Sequence, residues 1–96
     1  MKIPEIELTP TPRSDDAKRA VGFKWADKRM GHRHKLGCHP DWIQKDATPR
    51  CSCGKTMTFY GQLDSIGDEH AIADCGMIYV FLCFDCFEAK SVVQSG

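Results

Sequence analysis

Net charge is absent: Lys and Arg number 13, as do Asp and Glu, over 96 residues. That balance speaks against a chain built chiefly to hold nucleic acid by its phosphates. Long apolar runs are missing as well. The longest, residues 77–84, is far too short to span a bilayer, so no membrane role is expected. Residues 1–5 lack the apolar core of a secretory signal, and the expected location is the cytoplasm. No Gly-rich phosphate loop and no nucleophile elbow occur. The His-x-Glu with Cys-x-x-Cys pattern of nucleobase deaminases is not there either, because Glu69-His70 runs in the wrong order and spacing. Asp64, Asp68, Glu69 and Asp74 lack the regular spacing of a calcium loop. Internal repeats and low-complexity tracts are absent. Catalysis is therefore not expected.

What the chain does have is six cysteines. In a reducing compartment these argue for metal before disulfides. Cys51-Ser52-Cys53-Gly54 and Cys83-Phe84-Asp85-Cys86 form two close pairs, with β-forming sequence between them and after them. Each pair suits a tight knuckle that presents two thiolates to one tetrahedral ion, so Cys51, Cys53, Cys83 and Cys86 are the expected ligands of one structural zinc per chain. Cys83-x-x-Cys86 has the usual spacing, whereas Cys51-x-Cys53 is one residue tighter. Cys38, Cys75 and His39 are the candidate substitutes. His32, His34, Cys38 and His39 form a second, less specific set. A redox role for Cys83-x-x-Cys86 is disfavoured because such a motif normally opens a helix, whose dipole lowers the thiol pKa, and this one follows a strand.

The pattern along the chain predicts a mainly β protein: a small zinc-ribbon-like antiparallel sheet with an irregular, loop-rich N-terminal part. Residues 3–8 alternate apolar and acidic, and Pro4 suits an edge strand because it donates no ladder hydrogen bond. Two prolines make 9–16 a linker, with Asp15 or Asp16 able to cap a brief helix. Val21, Phe23 and Trp25 alternate as in a half-buried strand over 20–26, which places Trp25 in the core. Residues 36–44 make a turn carrying Trp42, read as core or as an exposed recognition aromatic. Strands are expected over 56–63, 77–82 and 88–94, the second covered on both faces, with an acidic loop over 64–70. The division is an N-terminal 1–30, partly mobile, and a β domain over 31–96.

At His34-Lys35-Leu36-Gly37-Cys38-His39-Pro40-Asp41-Trp42, Cys53-Gly54-Lys55-x-Met57-x-Phe59, Gln62-Leu63-Asp64-Ser65 and Asp74-Cys75-Gly76-Met77-Ile78-Tyr79-Val80-Phe81 the sequence resembles the YwqG-like family, bacterial β-rich domains of unknown function. It is also similar to the zinc-binding region of proteins related to programmed cell death protein 2. The resemblance covers about residues 31–90 and implies a zinc-binding β fold rather than an activity. Cys38 stands where the family turn has its second glycine. Family members are generally longer, so the chain resembles a minimal version or a C-terminal portion.

The function expected from these readings is a non-catalytic, zinc-stabilised interaction module that binds an unknown protein or a second copy of itself. Pro40, Trp42, Lys28, Arg29 and Arg33 are its candidate recognition surface. The rival is a nucleic-acid-binding ribbon: residues 13–35 carry eight Lys/Arg against three Asp, interleaved with Phe23 and Trp25. Against it, residues 59–90 carry six Asp/Glu and Lys90 alone. Thiol redox is the third reading.

Overall fold

The computed structural model describes residues 2–25 and 29–96. Its centre is a five-stranded antiparallel sheet in which each strand pairs with the next in sequence. The strands are β1 (Ile6–Glu7), β2 (Lys35–Leu36), β3 (Thr58–Asp64), β4 (Met77–Leu82) and β5 (Ala89–Gln94). A short helix, α1 (Asp15–Ala20), and a 3-10 turn (Asp68–His70) lie outside the sheet. The mainly β expectation holds, and the strands over 56–63, 77–82 and 88–94 are found within a residue or two of their expected ends. Among the described residues, no helix is long and apolar enough to cross a membrane.

Register fixes which side chains share a face. Glu7, Lys35, Gln62, Tyr79 and Val92 form one transverse row, and Phe59, Phe81 and Lys90 another, on the covered face. Ile6, Leu36, Gly61, Val80 and Ser91 form a row on the opposite face. Beside it run the rows Leu63-Ile78-Val93 and Thr58-Leu82-Ala89. β4 alternates buried and half-buried residues along its length. It is therefore covered on one face, not two: its continuous apolar run hides a period-two pattern because the open face is apolar as well.

The covering layer is a loop. Residues 38–48 cross the sheet and set Trp42 on Tyr79 and Phe81, with ring centroids 4.6 and 5.9 Å away. Three buried polar side chains of the strands hold this loop. Tyr79 donates its hydroxyl to the Asp41 carbonyl at 2.7 Å and accepts from the Ile43 N–H. Gln62 accepts from the Asp41 N–H and donates to Asp41 Oδ2 and to the Arg33 carbonyl. Gln94 accepts from the Gln44 N–H and donates to the Lys45 carbonyl. Beneath the loop lie Met57, Phe59, Met77, Tyr79 and Phe81, together with Cys51 and Cys83.

The N-terminal stretch differs from expectation in three ways. β1 joins the sheet as its edge, as its proline suggested, but spans two residues. The helix is capped by Ser14, whose Oγ accepts from the Ala17 N–H, rather than by Asp15 or Asp16, which fall in the first turn. Residues 20–25 form no strand; a single bridge ties Gly22 to Gly67. Trp25 is 91% exposed, outside the core. Alternation over so few residues carries little information once no partner strand is within reach. Residues 26–28, the end of that expected strand and Lys28 with it, lie outside the described residues.

Candidate metal centre

Two tight turns build the site. In the first, an antiparallel bridge joins Arg50 to Thr56, the Cys51 N–H donates to the Lys55 carbonyl and the Gly54 N–H returns to the Cys51 carbonyl, each at 2.8 Å. Gly54 closes the turn at φ 91, a left-handed value that glycine takes without strain. The second turn joins β4 to β5. There the Phe87 N–H donates to the Cys83 carbonyl at 2.8 Å and the Cys83 N–H to the Glu88 carbonyl at 2.9 Å. Phe87, directly after the second cysteine as Gly54 is after its own, takes φ 60.

The antiparallel meander brings the two turns together. The sulfurs of Cys51, Cys53, Cys83 and Cys86 all lie within 4.8 Å of one another, and among the described residues this is the one His/Cys/Asp/Glu group so gathered. A tetrahedral zinc at about 2.3 Å from each sulfur requires sulfurs about 3.8 Å apart. Cys53 and Cys83 already stand at 3.7 Å. Cys51 and Cys86 are closer, 3.0 Å, a thiol–thiol contact that an ion would open by under an ångström. The donor set therefore fits an ion that takes four sulfurs, and these cysteines can hold one. All six cysteines are present as thiols.

Glu88 ties the turns to each other. Its Oε2 accepts from the Ser52 N–H at 2.9 Å, the Ser52 hydroxyl at 2.7 Å and the Cys51 thiol at 2.9 Å. Across the same gap, Lys55 pairs with Asp85 at 2.7 Å and Lys90 donates to the Arg50 carbonyl. The hydrogen bonds sort the thiols by acidity. The Cys86 sulfur and the Glu88 carboxylate push the Cys51 thiol up, because a proton there is shared with both. Backbone N–H groups of Cys86 and Asp85, aimed at the Cys83 sulfur, draw Cys83 down to about 7. The Cys51 thiol, the Ser52 hydroxyl and the Ser52 N–H hold Glu88 at about 2. N–H groups directed at sulfur favour the thiolate, the form that a metal requires.

The remaining candidate ligands lie elsewhere. Cys38 is half-buried at φ 61, its N–H donating to the Ile3 carbonyl at 2.6 Å. The preceding Gly37, at φ 73, has no room for a Cβ, which would overlap the Pro4 carbonyl. His39 faces Lys2 at 3.0 Å. Cys75 is half-buried, and its carbonyl accepts from Arg33. His32 is exposed, whereas His34 is buried with Nδ1 accepting from the Asp64 N–H, so the two do not share a side. His32, His34, Cys38 and His39 do not gather into a second metal group.

The described candidate recognition residues fall in three places. Arg33 is bound to Asp64 through Nε at 2.8 Å and Nη2 at 2.7 Å. Asp64 also accepts from the Gly31 and Arg33 N–H groups and is 3% exposed, so it belongs to a buried ion pair at the end of β3 rather than to an acidic loop. Lys35 pairs with Glu5 and Asp41, and Arg19 with Asp16. Arg29 and Arg33 line one cavity of about 340 Å³ with charges of both signs. Pro40 lines a second cavity of about 370 Å³ beside the first turn, and Trp42 packs in the core. Gln62, Tyr79, Gln94 and Glu88 organise the site and its covering loop but carry no sequence signal beyond polar positions at strand ends and interiors.

No family model matches the chain, and no solved structure matches it. Among curated proteins, the chain is similar to the uncharacterized protein YpfL of Salmonella typhimurium, 40% identical over 53 residues. That stretch is 54% of this chain and 12% of the relative, so the chain spans a small part of the relative's length.

Proposed function

We propose that this protein is a non-catalytic interaction module, stapled by one structural zinc on Cys51, Cys53, Cys83 and Cys86, whose open sheet face receives a protein partner. Four sulfurs complete a tetrahedral shell and leave no position for water or substrate, so the ion holds the fold rather than activating a nucleophile. The observation that carries the partner reading is the open face. Its rows Leu63-Ile78-Val93 and Thr58-Leu82-Ala89 and the row from Ile6 to Ser91 contain no charged residue. Ile6, Leu63 and Val93 are about half exposed there. An uncharged apolar face fits the apolar surface of a protein and offers nothing to phosphates. The basic 13–35 stretch supports nucleic acid less, because Arg33 and Lys35, with largely buried side chains, are committed to ion pairs within the chain. The resemblance to the YwqG-like family read from the sequence is not matched by a family model and adds no activity.

The test places a photo-crosslinking residue at Val93 and, as a control, at Lys55 beside the metal turns. Protein adducts from position 93 only, lost on Leu63→Glu while metal content is unchanged, are the expected result. Oligonucleotide binding that falls steeply with salt, with no adduct at position 93, would overturn the reading.

A further inference from the structure

All four sulfurs lie within 4.8 Å of one another, and two close thiol–thiol contacts among them run between the turns: Cys51 to Cys86 at 3.0 Å and Cys53 to Cys83 at 3.7 Å. In each contact one cysteine is exposed, Cys86 or Cys53, and its partner is buried, Cys51 or Cys83. An oxidant from solvent therefore meets one sulfur of each contact first, with a second sulfur held behind it. Glu88, bonded to the Ser52 N–H and the Ser52 hydroxyl, keeps the first turn against the second independently of any ion.

We infer that the four-cysteine cluster is a peroxide-sensitive modification site in which two disulfides between the turns, Cys51–Cys86 and Cys53–Cys83, replace the metal as the staple. This rests on the metal reading above. The Cys86 thiolate attacks hydrogen peroxide: an S–O bond forms, the O–O bond breaks, and the leaving hydroxide takes a proton from solvent to become water. The Cys51 sulfur then attacks the sulfenic acid, forming the S–S bond as the S–O bond breaks and a second hydroxide leaves as water. Cys53 and Cys83 repeat the sequence with a second peroxide. Four thiolates have then given four electrons to two peroxide molecules, and the ion has lost every donor. Cys51–Cys86 forms first because, once oxidation of Cys86 loosens the ion, these two sulfurs return to the shorter metal-free contact. That pairing in turn commits Cys83 to Cys53, although Cys83 and Cys86 are near neighbours in sequence. Each disulfide joins the same two turns that the ion joins, so the oxidised protein keeps its fold without metal.

The experiment uses the full chain loaded with zinc under reducing conditions, its metal content measured first, then freed of reductant and titrated with hydrogen peroxide. A chelating dye reads the zinc released. After alkylation, tandem mass spectrometry of peptides cut at Asp85 reads the pairing, and thermal melting reads the fold. Expected are Cys51–Cys86 at low peroxide, Cys53–Cys83 as zinc leaves, Cys38 and Cys75 still alkylated as thiols, a cooperative melt in the oxidised metal-free protein, and restored zinc uptake after dithiothreitol. Cys51–Cys53 or Cys83–Cys86 peptides, sulfinic acids with no S–S bond, or zinc retained through the titration would overturn the inference while leaving the metal site standing. A chain that takes up no metal before peroxide overturns the site and this inference together.

Discussion

Phe87 shows how the site dictates backbone to a residue unsuited to it. Its ring is 68% exposed, yet its N–H must reach the Cys83 carbonyl to close the turn, and the chain reaches it only at φ 60. A left-handed backbone costs a residue with a Cβ about 1–2 kcal/mol. Glycine removes that cost and adds back about 0.5–1 kcal/mol of unfolded-chain entropy. Phe87→Gly should therefore raise the urea midpoint of the zinc-loaded protein by the equivalent of about 0.5–1 kcal/mol, whereas Gly54→Ala should lower it. A loss of stability in Phe87→Gly would mean that the exposed ring contributes a contact. The cysteine spacing and Gly54 were legible as a knuckle, because thiol pairs and glycine announce their geometry. Phe87 and Cys38 were not, since neither side chain advertises a left-handed backbone and only the closed turn requires one. Trp25 misled for the opposite reason: an apolar side chain suggests burial, but among the described residues no element passes over it.

Among the elements, the least legible is the loop over 38–48, which serves as the second layer of the core. Strand periodicity located β3, β4 and β5, but it gives no sign that Gln62 and Gln94 belong to the interior rather than to solvent. They are buried, because a loop has backbone groups to satisfy when it covers a sheet, and amide side chains can satisfy donors and acceptors together. Tyr79→Phe removes one hydroxyl and leaves the Ile43 N–H and the Asp41 carbonyl without their partner, a loss of about 1–3 kcal/mol. The loop should loosen over the sheet, so Trp42 emission should shift to the red before global unfolding. Unchanged emission through the urea transition would show that the loop is held by packing alone. At the far end of β3, the Asp64 charge answers to the same logic. Burial opposes its ionisation, but two hydrogen bonds and the charge of Arg33, with the N–H groups of Gly31 and Arg33, outweigh that and hold its carboxyl below the usual range. A depressed carboxyl stabilises the fold above its unfolded pKa of about 3.9 and loses that contribution as pH falls through the folded value. Asp64→Asn should thus cost about 3–5 kcal/mol at neutral pH, by stranding Arg33, and should narrow the gap to wild type in acid. Urea titrations of both proteins at matched pH values test this, and the shared buffers cancel the loss of metal as thiolates reprotonate. A gap that does not change with pH would remove the pair from the acid response.

For the whole molecule the question is whether a sheet covered by one loop can stand without an ion on the four cysteines. The apolar core comprises Cys51, Met57, Phe59, Met77, Tyr79, Phe81 and Cys83, and two of these belong to the four-cysteine cluster. The opposite face is apolar and only half-buried, so full burial of apolar side chains is confined to one side of the sheet. A domain of this size retains about 5–15 kcal/mol of net stability under favourable conditions, while a structural zinc on cysteine and histidine ligands contributes about 10–16 kcal/mol of apparent binding energy in small domains. The second quantity matches or exceeds the first, so removing the ion should remove the fold. Under reducing conditions, chelation is expected to abolish the cooperative melt, and zinc in slight excess to restore it. Cys83→Ser and Cys86→Ser should melt without cooperativity whether or not zinc is present, because a serine oxygen is a poor substitute for a thiolate at a soft donor position. Cys75→Ser, outside the cluster, should bind metal as the wild type does and keep its melt within about 1 kcal/mol. A sharp melt in the chelated, reduced wild type would show instead that the loop-covered sheet is sufficient by itself. The four sulfurs would then be a passenger on the fold rather than its staple.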